Sequence, residues 1–195
     1  MNLYILLLII LTIFCQSLCA HTLRSYPDAP LDIITIGHPT LRLEASLVDP
    51  MDFEDEEFQE LIDDMIKTMK SAGGVGLAAP QINVSKRLFV MKPSSFKKAE
   101  AIINPIIEYI EEAGKKNSTE SCLSIPGKSF TVERYKRLHM RYQNRDGVHK
   151  AESAKGFRAI VIQHEYDHLN GNMISDIFLK SLDLDDDFAF SIPRM

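Results

Sequence analysis

The stretch Gln163-His164-Glu165-Tyr166-Asp167-His168-Leu169-Asn170-Gly171 limits what this chain can fold into more than any other. Its His-Glu-x-x-His run makes chemical sense on a helix. Side chains four apart then share a face, so His164 and His168 can grip one metal ion. Glu165 stands beside them as a base toward water that the metal activates. Upstream, Phe157 and Val161 continue the same face, and Gly171 offers the stop. The pair lacks a third ligand, and that ligand decides the class of the protein.

The chain has 195 residues, 45% of them hydrophobic, enough for one core. The net charge is −5, without a long basic run, which argues against a nucleic acid bound directly by charge. Residues 1–20 stand apart. Leu3 to Cys19 is almost wholly apolar, and Ser17-Leu18-Cys19-Ala20 then gives way to His21-Thr22. This reads as a signal peptide cleaved near Ala20, or as a retained hydrophobic anchor that would attach the protein to a membrane. Residues 21–195 read as a single domain. Cys15 and Cys19 fall in the leader, so the domain keeps Cys122 alone and can form no internal disulfide.

Ile33 to Ile36 predicts a brief strand or turn before Gly37-His38-Pro39. Asp49-Pro50-Met51-Asp52 offers a helix start. Phe58, Leu61, Ile62, Met65, Ile66 and Met69 follow at helical spacing up to Gly73-Gly74, so this stripe faces a core. Arg87 to Lys92 predicts a strand. Ala101 to Ile110 predicts another, interrupted at Asn104-Pro105, and Lys115 to Thr119 reads as a polar loop. Alternation through Leu138, Met140 and Tyr142 predicts a strand closed by the hairpin turn Asn144-Arg145-Asp146-Gly147. From about Ser153 the period becomes helical. The tail at 183–187 is acidic and reads as a solvated end.

A hydrolytic metal site usually has three protein ligands. One protease class places its third ligand six residues after the second histidine, and Ile174 stands there, which excludes it. Asp176 would serve another protease class, but nothing else recommends it. Cys122 is the better candidate. A thiolate binds Zn²⁺ or Fe²⁺ strongly and offsets part of the metal's charge.

Three segments together resemble the peptide deformylase family. Gly74 through Gln81 matches its Gly-apolar-Gly-apolar-Ala-Ala-Pro-Gln motif. Glu120-Ser121-Cys122-Leu123-Ser124 matches its Glu-Gly-Cys-apolar-Ser motif except at Ser121. Gln163 through His168 matches Gln-His-Glu-x-Asp-His. The resemblance covers roughly residues 30–180. It implies an α+β fold, with antiparallel β-sheets around a central metal-binding helix. It implies hydrolysis of the formamide on the N-formylmethionyl end of new polypeptides. Its metal is one divalent ion, typically Fe²⁺, with Zn²⁺ or Ni²⁺ as replacements. By match, Cys122, His164 and His168 are ligands and Glu165 is the general acid/base. Gln81 and the Leu123 backbone N–H are oxyanion donors. Gly76, Ser121, Phe157 and Ile160 are taken as substrate contacts, the last two as the apolar wall for a methionine side chain.

Two features depart from the pattern. Ser121 replaces a glycine, whose torsional freedom serine lacks; its Cβ is expected to narrow the entrance or shift Cys122. The leader also has no family counterpart: it suggests export or anchoring, whereas formylated chains arise in the cytoplasm or in an organelle of bacterial descent. A catalytically weak binding protein and a metalloprotease are the rival readings.

Overall fold

The computed structural model describes residues 30–92 and 98–181; the leader and the acidic tail lie outside the described residues. Helix α1 (Glu56–Ser71) precedes strands β1 (Gly76–Ala78), β2 (Leu88–Met91), β3 (Glu100–Tyr109), β4 (Lys115–Cys122), β5 (Ile125–Tyr135), β6 (Arg137–Gln143) and β7 (His149–Lys155), and helices α2 (Gly156–Leu169) and α3 (Ile174–Ser181) follow them. Five strands form one sheet in the order β1-β2-β3-β6-β7, and β4 and β5 form a separate ribbon. Every named pairing is antiparallel. Among the described residues, no helix is long and apolar enough to cross a membrane.

The sheet lies between the two long helices. Successive side chains of a strand point to opposite faces. Leu77, Leu88, Val90 and Ile103 therefore pack with Phe58, Leu61, Ile62, Met65 and Met69 of α1. Ala78, Phe89, Met91 and Ile102 pack with Ala159, Ile162 and Leu169 of α2. Fully burying one such side chain is worth roughly 1.5–3 kcal/mol. A third cluster joins Cys122, Ile125 and Val132 of the ribbon to Met173 and Ile174. The α+β architecture around a central helix is thus the observed one.

Local details differ from the sequence expectations in three places. Asp49 and Asp52 form a capping box, but it starts only a 3-10 turn, Pro50–Glu54. The true helix begins after extended Asp55, whose carboxylate accepts the Glu57 N–H at 3.0 Å. Residues 115–119 are not a loop; they pair with β5 from Lys115↔Tyr135 to Thr119↔Thr131. Their polarity reflects a ribbon with an exposed face. The helix foreseen from Ser153 starts at Gly156, because 151–155 still pair with β6. Of the strand or turn expected at Ile33 to Ile36, the turn is observed: Ile36 and Gly37 form it, and the His38 N–H donates to Thr35 O at 3.1 Å. Ile34 N–H donates to Gln81 O and Ile36 N–H to Ser124 O, each at 2.8 Å, so the segment backs the two loops that carry the site.

The break at Asn104-Pro105 is a bulge. Asn104 has φ 50°, and its side chain exchanges hydrogen bonds with Val48 at 2.9 and 3.0 Å. Gly171 ends α2 with φ 69°, and a Cβ there would lie 2.6 Å from the Arg42 carbonyl oxygen. Glycine is needed on both counts. Arg87 closes the same end, donating to Leu169 O at 3.2 Å and Asn170 Oδ1 at 3.0 Å.

Candidate active site

The site forms where α2 meets the ribbon. The β4–β5 register shifts between Ser121 and Cys122, so Cys122 pairs with Ile125 across a tight turn. That turn brings the thiol to α2, with Sγ 3.3 Å from His168 Nε2. The ligand atoms of Cys122, His164 and His168 all lie within 4.8 Å of one another. One sulfur and two imidazole nitrogens at this spacing fit a divalent ion of the Zn²⁺ or Fe²⁺ kind.

The neighbours support that fit. His164 Nδ1 bonds Glu120 Oε2 at 3.0 Å, which leaves Nε2 as the ligand atom. Arg134 grips Glu120 through Nε and Nη2, each at 3.0 Å, and reaches Asp167 with Nη1 at 2.5 Å. Burial opposes charge on Glu120, but the hydrogen bonds from His164 and Arg134 outweigh it and hold the carboxyl down at about 2. Burial likewise opposes a charged His164. Its bonds to Cys122 and Glu120, with Glu165 nearby, prevail and raise it to about 10. His168 goes the other way, well below its ordinary value, through burial and the adjacent His164.

Glu165 sits beside this cluster. Burial pushes its carboxyl up to about 7, and among the described residues its Oε2 has no hydrogen-bond partner. Gly76 makes room for it: a Cβ at Gly76 would stand 2.2 Å from Glu165 Oε1. Gln81 is fixed by the Ala78 N–H, which donates to Oε1 at 2.9 Å. Its NH₂ therefore points to the other side, toward Ser124 Oγ at 3.2 Å and Cys122 Sγ at 3.7 Å.

A cavity of about 670 Å³ opens here. Gly76, Gln81, Ser121, Cys122, Leu123, Phe157, Ile160, His164 and Glu165 all line it, so nine of the ten residues singled out in the sequence share one wall. The tenth, His168, is buried behind it, 1% exposed. Phe157 is half exposed at the rim, and Ile160 is buried deeper. Asp176 is elsewhere; it accepts the Met173 N–H at 2.8 Å and pairs with Arg42.

The sequence reading missed Arg134, Asp167, Glu120 and Ser124 as supports of the site. Glu120, Ser124 and Asp167 lie inside the quoted motifs, which was a usable signal. Arg134 carried none, since its partners are 14 and 33 residues away. Ser121 lines the cavity beside Cys122, where its Cβ fills space that a glycine would leave open. The non-glycine residues with positive φ among those described are Asn83 and Asn104. Serine therefore occupies this position without torsional strain.

Residues 30–182 match a family model described as polypeptide deformylase. The chain belongs to the peptide deformylase family. Among relatives, it is 42% identical over 145 residues to the peptide deformylase of Dictyoglomus thermophilum, covering 74% of this chain and 90% of that one. It is 40% identical over 158 residues to that of Pseudomonas aeruginosa, covering 80% and 91%. The crystal structure of the Thermotoga maritima deformylase superposes with TM-score 0.71 at 41% identity, covering 77% of this chain and 98% of that chain. A deformylase from Acinetobacter baumannii, solved with Met-Ala-Ser bound, gives TM-score 0.71 at 30% identity, over 76% and 98%. The chain is a metal-dependent deformylase that acts on formylated nascent peptides.

Proposed function

We propose that Cys122, His164 and His168 hold one divalent ion, Fe²⁺ in the native protein and replaceable by Zn²⁺ or Ni²⁺, and that Glu165 is the general acid/base of deformylation. The observation that carries this is the Glu165 carboxylate, which is buried with an unpartnered oxygen, faces the cavity and adjoins the cluster. When bound, the ion supplies the Lewis acidity that makes water a competent nucleophile near neutral pH.

The remaining work falls to the chain's own groups. Glu165 takes a proton from the attacking water and returns it to the departing amine. Gln81 donates its NH₂, already aimed by the Ala78 N–H, to the oxyanion of the tetrahedral intermediate. The Leu123 backbone N–H is the second donor. The methionine side chain lies against Phe157 and Ile160. The peptide itself has two strand edges to dock on. Among the described residues, β1 ends the five-stranded sheet and β4 pairs with β5 alone, and residues 73–76 and 118–122 both line the cavity. An extended peptide laid between them pairs its backbone with both edges. Residues 1–20 act as a separate signal or anchor, and amino-terminal sequencing of the purified protein reads whether they are removed.

The test is formate release from formyl-Met-Ala-Ser by anaerobically purified protein, alongside metal analysis. Formate in step with peptide, and about one ion per chain, is expected. Release no greater than that of Glu165→Gln would overturn the reading.

A further inference from the structure

The catalytic groups leave one feature of the cavity unused. Ser121 and Ser129 oppose each other across the ribbon, and both are exposed and line the cavity. Their Oγ atoms are 2.7 Å apart. Two residues farther from the thiol, Thr119 and Thr131 repeat the arrangement, with Oγ1 atoms 3.0 Å apart. Residues two apart on a strand share a face. The four hydroxyls therefore form one polar row that begins next to Cys122.

Each hydroxyl has one proton and two lone pairs. The Ser121–Ser129 bond uses one proton and one lone pair, so the pair still offers a donor and acceptors to a passing group. We infer that this pair is a polar subsite for the residue that follows the formylmethionine. It favours small hydrogen-bonding side chains such as Ser, Thr and Asn over bulky aliphatic ones. The inference rests on the deformylase reading and specifies its substrate class.

Geometry sets the position. The formyl group belongs at the Cys122–His164–His168 cluster, and the methionine side chain belongs against α2. An extended peptide advances roughly 3.3 Å per residue. The next residue then arrives beside Ser121, the neighbour of Cys122 on the wall. An aliphatic side chain laid over the pair strips water from two hydroxyls and gives nothing back. Hydrogen-bonding sites reject such analogues strongly when fully closed. This pair lies at an exposed rim, so the selection is smaller, on the order of ten-fold.

The test compares kcat/KM for formyl-Met-Ser-Ser and formyl-Met-Leu-Ser, followed by formate release, in the wild type, Ser121→Gly and Ser129→Ala. The ratio is taken within each preparation, so differences in the folded fraction cancel. The wild type is expected to favour the serine peptide by about ten-fold, and each variant to bring the ratio near one. A wild-type ratio near one, or an equal ratio in all three proteins, would overturn the subsite and leave the deformylase reading intact. No formate from either peptide would overturn both.

Discussion

Helices α1 and α2 cover opposite faces of one sheet, yet they treat polar residues in opposite ways. In α1, Glu56, Glu57, Glu60 and Asp63 are exposed, while Ile62, Met65 and Met69 are completely buried. In α2, Gln163, Glu165 and His168 are at most 4% exposed, and Phe157 is 51% exposed. The second helix has no water-facing side for most of its length, because the sheet covers one flank and the ribbon and cavity the other. Several of its polar groups find partners on distant segments. Gln163 exchanges bonds with the Tyr135 backbone at 2.9 and 3.0 Å, His164 with Glu120, and Asp167 with Arg134. Most polar side chains of α1 are exposed, Asp64 and Thr68 being its buried exceptions, whereas the fold itself must satisfy most of those of α2. Changes in α1 therefore register as stability, and changes in the polar side of α2 register as chemistry.

The strongest test of that division is Glu165→Gln. It keeps the shape of the side chain and removes the base, so kcat should fall by roughly 10²–10⁴-fold. Metal content and melting temperature should stay near wild type. A variant that loses its metal or its fold instead would make Glu165 structural and erase the contrast. Arg134→Leu comes next. Arg134, whose side chain is 5% exposed, is paired to Glu120 and Asp167. Its loss leaves buried carboxylates uncompensated, at a cost of about 3–5 kcal/mol in denaturant unfolding. It also releases Glu120 from its grip, so a chelator competition should show metal affinity lowered by roughly 10–100-fold. Met65→Ala on α1 is the counterpart. It should cost about 3 kcal/mol through the cavity it leaves, with metal affinity and kcat per folded molecule unaltered. If Met65→Ala weakened metal binding as much as Arg134→Leu, the two helices would not divide the labour.

The same division explains what could be read in advance. The α1 stripe was legible because its periodicity faces one core and answers to nothing else. The pairing of His164 with His168 was legible because both imidazoles lie on one helix. Cys122 was reached through its chemistry, and its motif placed it. What failed was non-local. β4 looked like a loop, since Lys115, Asn117, Thr119 and Ser121 lie on an exposed face, and its partner strand had to be known before it made sense. Arg134 was invisible because a buried arginine declares itself only by the acids that meet it. The helix start was misplaced by six residues because Asp49 and Asp55 are both good caps, and only the return to extended backbone at Asp55 separates the 3-10 turn from the helix.

The smallest expected effect lies in front of α1 and probes how far exposure alone sets these magnitudes. Asp52 accepts from the Asp49 N–H at 3.0 Å and pairs with Lys86 at 2.5 Å, with side chains 26% and 33% exposed. The Lys86 hydrogen bond lowers its pKa below the ordinary 3.8, against the opposing effect of partial burial. The folded state therefore holds this proton less tightly than the unfolded chain. The stabilisation is complete above the unfolded pKa and is lost as pH falls through the folded one. In wild type that loss begins below about pH 4, whereas Asp52→Asn should lack this part of the acid dependence. Solvent screening limits the contribution to about 0.5 kcal/mol at neutral pH, and added salt should shrink it further. The Arg134 pairs lie inside and should resist the same salt. If Asp52→Asn cost as much as Arg134→Leu, or if salt weakened both alike, burial would not be what separates the two sides of the molecule.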